Sequence, residues 1–343
     1  MTSSDAQPDG PRTGAVPPLF DLMYGHIGAS VLRTVVQYGI PDLLAEGPRT
    51  AEDLAAASGA QAGPLRRLLR LLATRGLFAE DADGTFALTE EGTLLRSDVP
   101  GSQHAPALMY TDEMFRRAAE GLAETLRTGE PGFEAAYGLP FFEHLAAKPE
   151  KGSLFDAAMT TRISNADERI AAACPLPAGG TAVDVGGGRG ALLSELLTRS
   201  PGLHGVLYDR PETVAEHLLD TEELKGRWRA ESGDFFTGVP SGGDVYLLKN
   251  ILHDWPDEDC LRILGTLRAA VTPGTRLLVI DAVLPGDGTP HPAVSIDIIM
   301  LMMVRGKERT AAEFEELLSR SGFRFLRVLP TGVMPSIVEA EAV

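Results

Sequence analysis

The sequence predicts an α/β protein: a mainly helical, winged-helix-like domain, then a Rossmann-like, doubly wound and mostly parallel sheet that ends in an antiparallel strand pair. Residues 19–173 alternate short helical patterns with turn signals and contain few β-branched runs. From Thr181 onward, strand patterns alternate with helix patterns, which is typical of a parallel sheet. A glycine-rich segment, residues 186–190, leaves the first of these strands and opens a helix, where such folds bind ligands.

Strand patterns recur along the second half of the chain. Five segments predict parallel strands, namely residues 181–185, 203–208, 228–232, 244–248 and 276–280. Residues 191–199 and 257–270 predict two of the helices between them. Residues 323–330 and 336–340 are joined by a short Gly/Pro turn, which predicts the antiparallel pair.

Three short segments give the helical half its winged-helix outline. Residues 50–58 predict a capped helix, residues 64–75 a second helix with leucines on one face, and residues 76–89 a small hairpin. A DNA-binding regulator is one alternative, because the second helix occupies the place of a recognition helix. The arginines on that helix are Arg66, Arg67, Arg70 and Arg75.

Composition limits the partners that the protein can have. The chain has 343 residues, 44% of them hydrophobic and 23% charged, so it can form two ordinary domains with buried cores. Its 31 basic and 48 acidic side chains give a net charge of -17. Because such a surface repels phosphate backbones and anionic lipids, we expect neither nucleic acid nor membrane as a partner.

Cysteine content and hydropathy favour a cytoplasmic protein. Cys174 and Cys260 are far apart in sequence, so a disulfide framework is not expected. No apolar run is long enough to cross a bilayer. Residues 1–18 are polar and rich in Pro and Gly, which predicts a disordered lead-in rather than a signal peptide. The predicted domains are then residues 19–173 and residues 174–343.

The glycine-rich segment predicts a cofactor site. Gly186 and Gly188 allow a sharp turn and a close approach of the backbone to a ligand. With Ala191 they also fit the dinucleotide pattern, and Asp209 stands where a ribose-binding carboxylate belongs, so a nicotinamide enzyme is a competing hypothesis. Asp184 lies inside the strand, where dinucleotide folds carry an apolar residue. Its carboxylate is suited to orienting the loop or to binding the ammonium group of S-adenosylmethionine.

Polar residues also follow the third and fourth strands. Gly233, Asp234 and Phe235 place a hydrogen-bond acceptor and an aromatic ring at the sheet edge, a combination that suits an adenine. Lys249 ends the fourth strand, and His253 follows it closely. Because the carboxyl ends of parallel strands share one edge, we expect these residues near the glycine-rich segment.

Together these motifs resemble the S-adenosylmethionine-dependent O-methyltransferases of the plant caffeic acid and isoflavone type and their bacterial natural-product relatives. The resemblance covers nearly the whole chain, including residues 252–255 and 306–310. It implies S-adenosylmethionine as cofactor and, as acceptor, a phenolic or enolic hydroxyl of a small aromatic molecule of secondary metabolism. It also implies a homodimer, formed through an N-terminal domain that covers the substrate. The family's cofactor-contacting positions fall on Gly186, Asp209, Asp234, Phe235 and Lys249.

By the same resemblance, His253 occupies the position of the catalytic base. The plant enzymes flank that histidine with two carboxylates; here Glu308 matches one, and Asp281 stands where those enzymes carry a glutamate. Because an aspartate reaches less far, Glu308 is the better candidate for holding the ring. An ordinary imidazole pKa of about 6.5 suits a proton acceptor near neutral pH. No metal is expected, since no cluster of ligand residues has convincing spacing.

The resemblance also places an acceptor pocket. Met159, Met300 and Met303 fall on segments that line it in the family, with Asp254 as a polar contact, and methionine side chains adapt to flat rings. Packing in a helix core explains the methionines equally well. One more alternative is a hydroxylase or decarboxylase of the same fold, but such relatives lack the histidine that this chain has at His253.

Overall fold

The chain divides into two compact units, residues 1–112 and residues 113–343. The computed structural model describes residues 18–343, except for the side chains of residues 18 and 160–165. The predicted lead-in therefore lies outside the described residues, apart from Pro18, where the first helix begins. The domain boundary that we placed after residue 173 stays a prediction, because it marks a change of sequence pattern rather than of compactness.

Short helices surround a small antiparallel sheet in the first unit. Its elements are α1 (Pro18–Gln37), α2 (Ile40–Leu43), β1 (Arg49–Thr50), α3 (Ala51–Ser58), α4 (Ala62–Ala73), β2 (Phe78–Glu80), β3 (Thr85–Leu88), α5 (Glu90–Thr93) and α6 (His104–Tyr110). The sheet order is β1-β3-β2. Thr50 caps α3 by accepting a hydrogen bond from the backbone N–H of Asp53. Leu65, Leu69 and Leu72 bury one face of α4, so the winged-helix outline is present.

Two of the three arginines of α4 are paired with carboxylates of the same unit. Arg66 donates to Glu52 at 2.7 Å, and Arg70 binds both carboxylate oxygens of Glu80. Guanidinium groups engaged in this way do not form a free row of donors for a phosphate backbone. The pairing weakens the case for α4 as a recognition helix.

The second unit contains the large sheet and the helices around it. Its elements are α7 (Glu113–Glu120), α8 (Leu122–Thr128), α9 (Gly132–Tyr137), α10 (Phe141–Ala147), α11 (Pro149–Ala173), β4 (Gly180–Val185), α12 (Ala191–Arg199), β5 (Leu203–Asp209), α13 (Pro211–Val214), β6 (Trp228–Ser232), β7 (Val245–Lys249), α14 (Asp257–Ala270), β8 (Arg276–Leu284), α15 (Pro292–Met303), β9 (Arg309–Thr310), α16 (Ala311–Arg320), β10 (Phe323–Pro330) and β11 (Pro335–Ala342). Two 3-10 helices, Glu222–Leu224 and Leu252–Asp254, complete it.

The sheet has the order β10-β11-β8-β7-β4-β5-β6, and the short strand β9 pairs with β8. Strands β6, β5, β4, β7 and β8 are parallel, whereas β10 and β11 run antiparallel to each other and β11 antiparallel to β8. The fold class predicted from the sequence is confirmed. The chain winds outward from β4 in one direction and returns to β7 on its other side. Ligands of such sheets bind at this switch point, beyond the carboxyl ends of β4 and β7.

Apolar residues cover both faces of the parallel sheet. Val245, Tyr246, Leu247 and Leu248 of β7 are all 0% exposed, so this strand is an unbroken apolar run rather than an alternating one. The Tyr246 hydroxyl donates to the carbonyl oxygen of Pro240 at 2.7 Å. A strand held so firmly fixes the position of the residues that follow it.

Both cysteines are free thiols of low reactivity. Burial raises the pKa of Cys174 to about 12 and that of Cys260 to about 11. Because the thiolate is the reactive form, little of either is available near neutral pH. Within residues 18–343, no helix combines the length and apolar composition needed to cross a bilayer.

Candidate functional site

The glycine-rich loop between β4 and α12 meets the segment that carries His253. Gly186 and Gly188 have φ of 69° and 61°, in the left-handed region that favours glycine. The backbone N–H of Gly186 donates to the carbonyl oxygen of Tyr208 at 2.8 Å. A Cβ on Gly186 would lie 2.5 Å from Cδ1 of Ile251 and 3.7 Å from the Phe235 ring. The loop, Phe235 and the segment after β7 therefore adjoin one another.

Asp209 shapes the glycine-rich loop from the end of β5. One carboxylate oxygen accepts from the backbone N–H of Gly188 at 2.8 Å, and the other accepts from the N–H of Arg210 at 2.7 Å. Each oxygen can accept a second hydrogen bond, so these contacts leave capacity for a ligand hydroxyl. The predicted contact of Asp209 with a ribose stays a prediction.

Asp184 is a buried carboxylate beneath the same loop. It is 1% exposed, and neither of its oxygens has a hydrogen-bond partner among the described residues. Burial raises the pKa of Asp184 to about 7, although Lys249 opposes the shift. A Cβ on Gly187 would lie 2.6 Å from the Asp184 carboxyl carbon, so the loop passes directly over it. A buried charge without a partner is costly, and a cationic ligand would relieve that cost.

Lys249 is not an exposed lysine. Its ammonium group pairs with the carboxylate of Asp167 on α11, and their side chains are 12% and 3% exposed. Burial raises the pKa of Asp167, while Lys249 opposes the shift. The pair ties α11 to the strand edge where a cofactor is expected. Asp167 was not predicted as a site residue, because it lies 82 positions before Lys249 and no sequence pattern connects the two.

The segment after β6 is held by hydrogen bonds and by packing against aromatic rings. Oδ1 of Asp234 accepts from the backbone N–H of Phe236 at 2.9 Å. A side chain at Gly233 would overlap the ring of Tyr208, so the backbone there lies flat against it. The Phe235 ring packs against two other aromatic rings. Its centroid lies 5.1 Å from that of Phe236 and 6.3 Å from that of Trp255. Contact of Asp234 and Phe235 with an adenine stays a prediction.

His253 lies in the 3-10 helix directly after β7. Its Nδ1 is 2.9 Å from Oε1 of Glu308, and its Nε2 is 3.5 Å from Oδ1 of Asp254. Because the Glu308 carboxylate only accepts, Nδ1 carries a hydrogen and Nε2 is the nitrogen that can exchange a proton. The side chains of His253 and Glu308 are 13% and 1% exposed. Asn250 precedes the turn with φ of 53°, a conformation rare for residues other than glycine, and it redirects the chain after β7.

Nearby carboxylates set the protonation of His253. Burial lowers the pKa of His253, but the charges of Asp254, Asp281 and Glu308 and the hydrogen bond that the ring donates to Glu308 outweigh it and raise the pKa to about 9. The pKa of His253 therefore departs from the unperturbed value of a histidine side chain. The sequence supplied the residues but not the distances on which their mutual attraction depends.

Asp281 acts on His253 through its charge rather than through a hydrogen bond. It is 0% exposed, and among the described residues neither of its oxygens has a hydrogen-bond partner. Burial raises the pKa of Asp281 to about 7, although His253 opposes the shift. Glu308 is the carboxylate that touches the ring, as the length of the two side chains suggests. Whether Asp281 takes part in catalysis stays a prediction.

The three methionines lie on two helices. Met300 and Met303 belong to α15, where Met303 is 2% exposed and Met300 is half-buried, and half-buried Met159 belongs to α11. Helix α15 is joined to the His253 site through Asp297, whose Oδ1 accepts from the backbone N–H of Glu308 at 2.9 Å. The sequence did not predict Asp297 as a partner of the site, because a single aspartate in an apolar helix does not indicate which residue it contacts. Contact of the methionines with an acceptor stays a prediction.

Two family models match the chain. One describes an O-methyltransferase domain and covers residues 120–324, and the other describes an O-methyltransferase dimerisation domain and covers residues 20–98.

The chain belongs to the O-methyltransferase family.

Curated relatives support the same assignment over almost their whole length. This O-methyltransferase is 40% identical to the mitomycin biosynthesis 6-O-methyltransferase of Streptomyces lavendulae, with 94% of this chain and 93% of the relative covered. It is 37% identical to the phenazine O-methyltransferase of Lysobacter antibioticus, with 97% and 98% covered.

Solved structures identify the cofactor. The methyltransferase of calicheamicin biosynthesis, in its S-adenosylhomocysteine-bound form, is 42% identical, has a TM-score of 0.87, and is covered over 97% of its chain and 95% of this one. Human N-acetylserotonin methyltransferase in complex with S-adenosylmethionine is 28% identical with a TM-score of 0.82, and 96% of its chain and 94% of this one are covered. S-adenosylmethionine is the cofactor of this O-methyltransferase. Within the described part of the chain, no group of three or more His, Cys, Asp or Glu residues is placed to hold a metal ion.

Replacing Gly186 tests the fit of the loop to the cofactor. Gly186→Ala places a side chain in the left-handed region and against Ile251, so we expect S-adenosylhomocysteine to bind at least about tenfold more weakly, measured by calorimetry. Gly226→Ala is the matched control, because Gly226 has φ of 75° but a Cβ there would meet nothing within 4 Å. Equal affinities for the two variants would contradict the prediction.

Proposed function

We propose that this O-methyltransferase transfers the methyl group of S-adenosylmethionine to a phenolic or enolic hydroxyl of a small aromatic natural product, with His253 as general base. The proposal depends on one observation: His253 bonds to Glu308 at 2.9 Å in the segment that adjoins the glycine-rich loop. The names of relatives, which include a 2,7-dihydroxy-5-methyl-1-naphthoate 7-O-methyltransferase 36% identical to this chain, support an aromatic acceptor.

Residues at the switch point fit the cofactor. Asp184 offers an unpartnered carboxylate to a cationic group, and Gly186 and Gly188 allow a close approach. Asp209 keeps acceptor capacity for ribose hydroxyls, and Lys249 is held at the same edge by its ion pair. When bound, S-adenosylmethionine supplies an electrophilic methyl group on a sulfonium. We assign the adenine end to the segment that contains Gly233, Asp234 and Phe235.

His253 removes the proton of the acceptor hydroxyl. Its Nε2 takes that proton, while Nδ1 stays bonded to Glu308, whose negative charge stabilises the imidazolium that forms. Asp254 lies beside Nε2 at 3.5 Å and can accept a hydrogen bond from a second polar group of the acceptor. Base assistance of this kind contributes about 10²- to 10⁴-fold in rate. We assign the apolar wall of the acceptor pocket to Met159, Met300 and Met303.

The same-fold hydroxylase or decarboxylase is less well supported. The hydrogen bond between His253 and Glu308 prepares a base for an acidic hydroxyl, which neither of those reactions requires. A screen of phenols with methyl-labelled cofactor and mass detection separates methyl transfer from loss of a carboxyl group or gain of an oxygen.

Removing the imidazole should separate catalysis from cofactor binding. His253→Ala should bind S-adenosylhomocysteine within about threefold of the wild type and lose about 10²- to 10⁴-fold in kcat with a phenol that the wild type methylates. The kcat of Glu308→Gln should lie between those of the wild type and His253→Ala, because the glutamine amide can still accept a hydrogen bond from Nδ1 but carries no charge. Undiminished turnover by His253→Ala would exclude this residue as the base.

The raised pKa of His253 predicts an alkaline activity profile. The base must be unprotonated, so kcat/KM should rise about tenfold per pH unit below a midpoint near 9 and level off above it. Asp281→Asn removes a charge that raises this pKa and should move the midpoint to lower pH. Glu316→Gln, on the exposed face of α16, is the control and should leave it in place.

Measuring the pH profile with two phenols of different acidity shows whether the midpoint belongs to the enzyme or to the acceptor. A midpoint shared by both belongs to the enzyme, whereas a midpoint that follows the acidity of the phenol belongs to the acceptor and contradicts the assignment to His253. Asp281→Asn with an unshifted profile would also contradict it.

We propose that the protein is a homodimer formed through its first unit. The O-methyltransferase dimerisation model covers residues 20–98, and helix α1 presents a row of exposed apolar side chains. These are Leu19, Phe20, Leu22, Met23 and Ile27. Scattering at micromolar concentration should give twice the 36.5 kDa mass of the chain, and Leu22→Asp should lower it. A wild type that stays at the single-chain mass would contradict the proposal.

A further inference from the structure

Arg309 is a buried arginine next to Glu308, the carboxylate that bonds to the His253 ring. It follows Glu308 directly and is 1% exposed, although it carries a charge that cannot be given up near neutral pH. Burying such a charge requires good partners for every donor. The partners it has therefore indicate what it does.

The partners of Arg309 lie on both sides of His253. Nη1 donates to the carbonyl oxygen of Leu252 at 2.9 Å, and Nη2 donates to that of Trp255 at 3.1 Å. Nε and Nη2 both bind Oδ1 of Asp257, at 3.1 Å and 2.7 Å. The guanidinium thus joins the residue before His253, the residue two after it, and the first residue of α14.

Gly306 and Glu308, which lie close to Arg309 in sequence, also contact the turn that carries His253. The backbone at Gly306 lies against the peptide between His253 and Asp254, so closely that a Cβ there would overlap the His253 carbonyl oxygen. The Glu308 carboxylate holds the ring at Nδ1. Arg309 bonds to backbone carbonyl groups on either side of His253. Residues 306–309 therefore contact both the ring and the main chain around His253.

The turn needs this support because it has little regular structure of its own. It consists of a single 3-10 helix, Leu252–Asp254, without a side-chain cap, and it follows Asn250 in the left-handed conformation. Short 3-10 turns have poorer hydrogen-bond geometry than α-helices. A planar guanidinium that bonds two carbonyl groups and a carboxylate restricts such a turn more than a lysine could.

We propose that Arg309 is a positioning residue for His253: it fixes the turn so that the imidazole stays in register with Glu308 on one side and the acceptor on the other. The proposal rests on the function proposed above and extends it. We assign Arg309 an indirect role, because its guanidinium is 1% exposed and bonds to protein groups of the turn and of α14. A displacement of a reacting group by about 1 Å can lower a rate about 10²-fold, which sets the size of the expected effect.

Substitution of Arg309 by lysine tests whether the several hydrogen bonds of the guanidinium are needed. Arg309→Lys keeps the charge but cannot bond both carbonyl groups and Asp257 together. We expect a folded protein that binds S-adenosylhomocysteine within about threefold of the wild type, with kcat about 10- to 100-fold lower when it is measured on the alkaline plateau, where His253 is unprotonated in both proteins. Arg320→Lys on α16, where the arginine side chain is 53% exposed, is the matched control and should keep wild-type kcat.

A milder variant covers the case in which Arg309→Lys does not fold. Asp257→Asn removes the charge of the carboxylate that binds Arg309 and so weakens their hydrogen bonds. Because the Asp257 side chain is 44% exposed, the variant should fold, and its kcat should fall about threefold to tenfold. Asp259→Asn is its control, because Asp259 lies in the same first turn of α14 and pairs with Arg262 at 2.7 Å instead. The control should keep wild-type kcat.

Histidine NMR provides a readout independent of turnover. In ¹⁵N-histidine-labelled protein, the signal of His253 is assigned by its loss in His253→Ala. If the turn loosens, the ring moves away from its carboxylates, and the pKa of His253 should fall from about 9 toward its ordinary value in Arg309→Lys or Asp257→Asn.

Each outcome decides the proposal. Lower kcat with retained S-adenosylhomocysteine affinity and a lowered His253 pKa supports it. Wild-type kcat and His253 pKa in a folded Arg309→Lys, or in Asp257→Asn if the former does not fold, overturns it, as does a parallel loss of cofactor affinity and kcat. If His253→Ala keeps its activity, the proposed base is wrong, and the NMR titration still shows whether Arg309 holds the turn.

Discussion

The hydrogen bond between His253 and Glu308 is the contact on which the proposed chemistry of this protein depends. It joins residues 55 positions apart in sequence, one after β7 and one just before β9, and it exists only because both strands adjoin β8. His253 follows the carboxyl end of β7, and β9 pairs with the last two residues of β8, Val283 and Leu284, so both side chains lie at the same edge of the sheet. The glycine-rich loop after β4 reaches the same edge, so the proposed base and the proposed cofactor site result from a single feature of the topology.

Buried carboxylates at this edge reduce stability in favour of function. Asp184 and Asp281 have no hydrogen-bond partner among the described residues, and neither has Oε2 of Glu308. An apolar side chain would fill these places at lower cost. The negative potential that they create is useful where a cationic cofactor must bind and an imidazolium must form. The departures from good core packing therefore coincide with the proposed site, as expected of functional positions.

Sequence patterns predicted the architecture well and the site in part. Strand β6 and helices α12 and α14 have the predicted bounds, because apolar periodicity and turn residues determine such elements locally. The resemblance supplied His253, Glu308 and Asp281. Asp167, Asp297 and Arg309 were missed as partners, since their roles arise from contacts between distant segments. The pKa of His253 could not be predicted for the same reason: it depends on distances, not on residue types.

The two thiols have a practical consequence for spectroscopy. Cys174 and Cys260 are the only cysteines in the sequence, and burial raises their pKa values to about 12 and about 11. Maleimides and spin labels attack thiolates, so neither residue competes at neutral pH with a cysteine introduced on the surface. The natural chain can therefore carry a single probe without prior removal of its own sulfhydryl groups, including the one that supports the turn beneath Arg309.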